Sequence, residues 1–170
     1  MKEINIIDFG LMGKQISALF YLLGYEIGVY NKSKLNIYEF EKQIKLLQRK
    51  IDFSNFNAGK INIYQHIEDL KNSLTIESLN EDLNLKKEIM QILRDNNIVF
   101  SNSSSLSMDD LNCDFIHFFN TIYIKLIELC GSNLERFTPL KDLKKLGFHI
   151  ICSKGNRGAL ANLLLFNEIS

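Results

Sequence analysis

The chain has 170 residues, 46% of them hydrophobic, and its twenty basic side chains balance its twenty acidic ones. That length suits one domain over residues 1–170, able to bury about 70% of its unfolded surface, and the even charge without a Lys/Arg cluster argues against nucleic acid as a partner. The start, MKEINIID, lacks the apolar core of a signal peptide, and no apolar run reaches the roughly 18 residues that span a bilayer, so a cytoplasmic protein without a membrane partner is expected.

Residues 4–31, INIIDFGLMGKQISALFYLLGYEIGVYN, read as strand, glycine turn, helix and second strand. Ile4, Ile6 and Ile7 form a β-rich run, Gly10 and Gly13 punctuate it, and Ile16, Leu19, Phe20, Leu22 and Leu23 recur at helical spacing until Gly24 stops them. Over 33–51, Leu35, Ile37, Phe40, Ile44, Leu46 and Leu47 among charged residues predict an amphipathic helix, and 52–60 a loop. Residues 61–64 and 74–78 read as strands around a helical turn at 67–71. Glu81 and Asp82 then open a helix carrying Leu83, Leu85, Ile89, Ile92 and Leu93, with acids at the end the dipole favours. A strand at 98–101 leads into NSSSL, residues 102–106, a polar turn at a strand's carboxyl end, where ligands bind in open α/β sheets. FIHFFN and IKLIEL, residues 115–120 and 124–129, are two strands so closely joined that they imply a hairpin. Thr138 as a capping hydroxyl and Pro139 start a helix that runs to Gly147; 149–152 is the last strand, 154–158 a loop, and 159–169 an apolar closing helix. The rhythm is that of an α/β, Rossmann-type, doubly wound and mostly parallel sheet with helices on both faces. Cys113, Cys130 and Cys152, odd in number and widely spaced among mostly apolar residues, read as buried free thiols, not as a disulfide or metal framework.

The first turn proposes a cofactor. Unpaired N–H groups at a helix start, with its dipole, favour a pyrophosphate where glycines allow close approach, which points to Gly10, Leu11, Met12 and Gly13. Aligned on Gly-x-Gly-x-x-Gly, the positions are Asp8, Gly10 and Gly13, so an acid stands at the tight turn, its carboxylate either facing the pyrophosphate or pointing away. Asn31 ends the second strand where such folds meet the adenosine ribose. It can bond a ribose hydroxyl but lacks the charge that rejects a 2′-phosphate, and Lys32 follows, leaving the choice between NAD and NADP open.

IESLNEDLNLKKEIM, VFSNSSSL, IHFFN, KLIEL and KKLGFHIICSKGNRGALANLLL occur in the order seen in 3-hydroxyacyl-CoA dehydrogenases, and the chain resembles their N-terminal NAD-binding domain over nearly its whole length. The resemblance implies hydride transfer between a nicotinamide cofactor and a 3-hydroxyacyl or 3-oxoacyl substrate, with acyl-CoA as the small-molecule partner. It makes His117 the catalytic base, Glu128 the carboxylate that orients it, and Ser104 and Asn120 the groups that hydrogen-bond the substrate oxygen. Glu81 falls near the nicotinamide, Asn102 beside the cofactor in the NSSSL turn, and Asn162 beside the substrate. The residue types suit the chemistry, since oxidation of a secondary alcohol needs a base near neutrality and donors on its oxygen. His66 and His149 match nothing in the family and read as structural.

The chain also departs from the pattern. Thr121 replaces the family's proline after HFFN, and the interval from His117 to Glu128 is one residue shorter. Gly155 and Arg157 stand where the family has an acid and a proline, and the family's helical C-terminal domain is expected to be absent. Residues 159–169 would then need covering by a second copy or by a separate helical partner chain. Two readings therefore stand: a dehydrogenase, or a non-catalytic relative that binds a nucleotide or a protein.

Overall fold

A computed structural model describes residues 2–32, 36–93, 98–119 and 124–154. Its eight strands are β1 (Glu3–Ile7), β2 (Glu26–Tyr30), β3 (Lys60–Tyr64), β4 (Leu74–Glu77), β5 (Ile98–Ser101), β6 (Asp114–Phe119), β7 (Leu126–Cys130) and β8 (His149–Ser153). They form one sheet in the order β3-β2-β1-β4-β5-β6-β7-β8. Every pairing is parallel except β6 with β7, the hairpin that the short connection implies. The order reverses at β1, so β1 and β4 feed loops to opposite sides and leave a crevice at their carboxyl ends.

Strand alternation divides the core between the two faces of the sheet. Ile6, Ile116 and Phe118 join α1 (Leu11–Leu22) and α2 (Ile37–Lys50) in the larger cluster, whereas Ile7 faces α3 (Leu83–Leu93) with Ile89 and Leu93. Phe20 of α1 meets Phe118 edge-on at 6.2 Å between ring centres, which fixes the first helix over the later strands. Gly24, at φ +86°, ends α1 with paired bonds, Gly24 N–H to Tyr21 O and Tyr25 N–H to Phe20 O, a conformation a side chain would strain. Asn36 caps α2 by accepting from Glu39 N–H, and Asp82 caps α3 by accepting from the N–H groups of Asn84 and Leu85.

Several expectations change. The helix expected over 33–51 begins at Ile37, and 33–35 lie outside the described residues. A four-residue helix absent from the sequence reading, α4 (Met108–Leu111), is held by a reciprocal capping box between Ser107 and Asp110. Thr138 does not cap α5 (Leu140–Lys145): the cap position falls on Pro139, whose carbonyl accepts the first helical bonds from Asp142 N–H and Leu143 N–H and whose ring offers no side-chain bond. Of the three free thiols, Cys130 is buried and Cys113 half-buried, but Cys152 is exposed because β8 forms the edge of the sheet. His66 and His149 lie at the surface. Among the described residues no helix is long and apolar enough to cross a membrane, and no cluster of three His, Cys, Asp or Glu is placed to hold a metal.

Candidate functional site

The glycine turn between β1 and α1 is tied down at three successive amides. Asp8 N–H donates to Tyr30 O at 2.9 Å, Phe9 N–H to Asn31 Oδ1 at 3.0 Å, and Gly10 N–H to Asp8 Oδ2 at 3.1 Å. Asp8 adopts φ +73°, the left-handed conformation that glycine takes at no steric cost and aspartate tolerates. Its carboxylate therefore faces the helix start, where it accepts from the Gly10 amide. The first intrahelical bond runs from Lys14 N–H to Gly10 O, so the N–H groups of Leu11, Met12 and Gly13 point out of the helix end, where a pyrophosphate would meet them. Gly13 has no room for a side chain, since a Cβ there would overlap the Asp8 carbonyl oxygen and stand 3.0 Å from Ser78 Oγ.

Asn31 is nearly buried, and its side-chain oxygen is committed to the glycine turn through Phe9. It shapes the end of β2 as well as bordering a ligand there. A cleft of about 270 Å³ lies beside it, lined by apolar Leu85 and Ile92 of α3, by the exposed Lys32, and by the carboxylates of Asp8, Glu68 and Glu88. The room in the cleft, the outward amides and the absence of charge on Asn31 fit a nicotinamide dinucleotide. The carboxylates of Asp8, Glu68 and Glu88 oppose its phosphates.

On the other side of the crevice, Glu81 bridges two loops, accepting from Ser103 Oγ at 2.6 Å and from Ser104 N–H at 2.9 Å. Burial pulls its pKa upward, but the bonds from Ser103 and Ser104 outweigh that and hold the carboxyl below its ordinary value. Ser104 itself is exposed. Asn102 N–H donates to Glu77 O at 2.7 Å, and Asn102 Oδ1 accepts from Phe118 N–H at 3.2 Å, so this side chain staples the NSSSL turn to the strand beside His117.

His117 sits on β6 directly opposite Glu128 on β7, a pairing set by the hairpin register. Its ring lies against that of Phe119, with centres 4.0 Å apart. Burial lowers the pKa of His117, and the negative charges of Glu128 and Glu81 oppose the shift without reversing it. Nδ1 is buried with no hydrogen-bond partner among the described residues, so that nitrogen donates no orienting bond to Glu128. Glu128 Oε1 accepts instead from Ser153 Oγ at 3.3 Å. Asn120, Asn162 and the segment 159–169 lie outside the described residues.

Sequence reasoning missed the charges at the base of this site. Lys86 and Glu77 are wholly buried and paired at 2.6 Å, and Ser101 Oγ donates to the second oxygen of Glu77. One signal was available, because Lys86 falls on the stripe of Ile89, Met90 and Leu93, where a helix turned to the core carries no unpaired charge.

A model of the family described as 3-hydroxyacyl-CoA dehydrogenase, NAD binding domain, matches residues 3–144. A 3-hydroxybutyryl-CoA dehydrogenase of Clostridioides difficile is 27% identical in an alignment 157 residues long; the match covers 78% of this chain and 55% of that protein. Among solved structures, an NAD+-dependent 5-formyl-3-hydroxy-2-methylpyridine 4-carboxylic acid 5-dehydrogenase superposes with a TM-score of 0.81 at 19% identity, covering 99% of this chain and 63% of the other. A (S)-3-hydroxybutyryl-CoA dehydrogenase from Ralstonia eutropha gives 0.75 at 20% identity, covering 99% and 70%. The chain thus spans little more than half the length of the curated relative it matches.

Proposed function

The chain belongs to the 3-hydroxyacyl-CoA dehydrogenase family through its NAD-binding domain, and from that premise we propose that it carries the cofactor half of a site transferring hydride between a nicotinamide and a 3-hydroxyacyl or 3-oxoacyl thioester. The observation that carries the reading is the convergence of the glycine turn, Glu81, the NSSSL turn and His117 on one carboxyl-terminal edge of the sheet. The likeness to 3-hydroxybutyryl-CoA dehydrogenases supports the substrate class.

Leu11, Met12 and Gly13 would receive the pyrophosphate, and Asn31 with Lys32 the adenosine ribose. Asn31 repels no 2′-phosphate and Lys32 can meet one, so NADPH is accepted beside NADH. The bound nicotinamide supplies or takes the hydride at the substrate's third carbon. His117, kept neutral near pH 7 by burial, accepts the hydroxyl proton during oxidation at a ring nitrogen and returns it to the oxygen during reduction. Ser104 and Asn120 hold that oxygen. Glu128, opposite His117, stabilises the protonated ring; apo geometries commonly leave such bonds unmade until the ternary complex forms.

The test is reduction of acetoacetyl-CoA by NADH, followed by loss of absorbance, in wild type and His117→Gln. General acid-base catalysis is worth about 10² to 10⁴-fold, and the variant should lose that much. An unchanged rate removes His117 from the mechanism. One observation favours a second reading, a non-catalytic relative that binds a protein through the retained fold: the Asp8 carboxylate occupies the Gly10 amide that a pyrophosphate would need. No NADH binding and no turnover of any 3-oxoacyl thioester would select it.

A further inference from the structure

Glu77 and Lys86 are both fully buried, and neither touches the crevice where the chemistry above takes place. Their bonds concentrate on one short turn, residues 78–82, between β4 and α3. Lys86 Nζ donates to Glu77 Oε1 and, at 2.9 Å, to Leu79 O, while Leu79 N–H donates to the same Glu77 oxygen. The peptide groups on both sides of Leu79 are therefore gripped by one ion pair. Glu77 Oε2 accepts from Ser101 Oγ at 2.6 Å, which anchors the pair to β5. The turn so fixed reaches both walls of the crevice. Ser78 N–H donates to Ile7 O at 3.0 Å, and Ser78 Oγ stands where it would press on a side chain added at Gly13, in the glycine turn. Glu81 at the other end holds Ser103 and Ser104.

We propose that Lys86 and Glu77 are positioning residues, which act through the turn at 78–82 to hold Glu81 between the glycine turn and the NSSSL turn. The inference rests on the dehydrogenase reading for its purpose, because Glu81 is the acid that stands beside the cofactor and His117. Energetics separates this role from a stabilising one. Removing two charges from water costs about as much as their attraction returns, and replacing a buried pair by neutral groups of similar volume is commonly neutral or stabilising. What the pair contributes is direction: a carboxylate and an ammonium with fixed partners allow the turn one arrangement, where an apolar contact would allow several. The pair also carries no net charge, so its loss alters the field at His117 mainly by letting Glu81 move.

The test uses the double variant Glu77→Gln with Lys86→Met, which removes both charges at nearly constant volume. Circular dichroism should show a Tm within about 4 °C of wild type. The Kd for NADH, read by fluorescence, should rise about tenfold. NMR titration of the His117 ring without cofactor should give a midpoint below wild type, because Glu81 no longer raises it. Adding Glu81→Gln to the double variant should change neither value further, since coupled residues are not additive. Wild-type Kd and midpoint in the double variant overturn the proposal, as do effects that add fully to those of Glu81→Gln. If the double variant does not fold, Ser101→Ala, which takes one donor from Glu77, should weaken NADH about threefold and lower the His117 midpoint, and unchanged values there overturn the proposal equally. A wild-type protein that binds no NADH defeats the dehydrogenase reading and leaves the His117 titration to decide this one.

Discussion

Replacing Asp8 by glycine tests whether this turn is tuned for an anion or against one. Asp8 is half-exposed, and its Oδ2 lies 3.1 Å from the Gly10 amide nitrogen, at the helix end that a pyrophosphate would approach. Two unit charges roughly 4 Å apart repel by about 1 kcal/mol at the dielectric of water and about 4 kcal/mol at an effective value near 20. Partial exposure puts the repulsion towards the lower end, at roughly 1 to 2 kcal/mol, or five- to thirtyfold in Kd. The glycine variant loses one hydrogen bond, worth about 1 kcal/mol net, but relieves a side chain held at φ +73°, so the fold should be little altered. Fluorescence titration should show both NADH and NADPH bound more tightly, with the gain shrinking at high salt as the repulsion is screened. Asp8→Asn, which keeps an acceptor for Gly10 N–H, should give most of the same gain. Equal affinities for wild type and both variants would refute the reasoning.

Gly13→Ala should abolish cofactor binding and cost about 1 to 3 kcal/mol, seen as a lower Tm, because its Cβ would overlap the backbone oxygen of Asp8. Asn31→Asp keeps the acceptor for Phe9 N–H while adding the charge that repels a 2′-phosphate, so parallel titrations should show NADPH weakened about tenfold more than NADH. His117 titrates below its ordinary value of 6.5 in the folded protein. As pH falls through about 6.5 the unfolded chain takes up that proton first, and stability declines until the lower folded value is passed. Denaturant midpoints between about pH 7.5 and 5.5 should therefore fall in wild type and fall less in His117→Gln.

The regular part of this architecture was legible because its central strands are buried on both faces and its helices carry one apolar stripe. β1, α1 and β2 follow directly from isoleucine runs, helical spacing and Gly24. The hairpin was readable from the short connection, but the register that sets His117 opposite Glu128 was not, and only the family resemblance had put those two residues together. What stayed hidden depends on partners distant in sequence. Nothing local says that the oxygen of Asn31 reaches back to Phe9, or that the Asp8 carboxylate turns onto Gly10. A four-residue helix such as α4 has too few turns to show a period, and only Ser107 with Asp110 marks it. Cys152 sits among apolar neighbours yet is exposed, since strand order, not composition, decides which strand becomes an edge. Lys86 follows a helix pattern in which Lys87 and Glu88 are solvated, and its burial is stable only because Glu77 waits nine residues earlier.

NMR titration of isotope-labelled protein with NADH tests the central claim most directly, because it reads the glycine turn and the imidazole together. The account predicts that the amides of Gly10, Leu11, Met12 and Gly13 and the ring of His117 move on one binding curve, with Asn31 among the perturbed residues. Shifts confined to another surface, such as the cavity lined by Arg136 and Met108, or none at all, would contradict it.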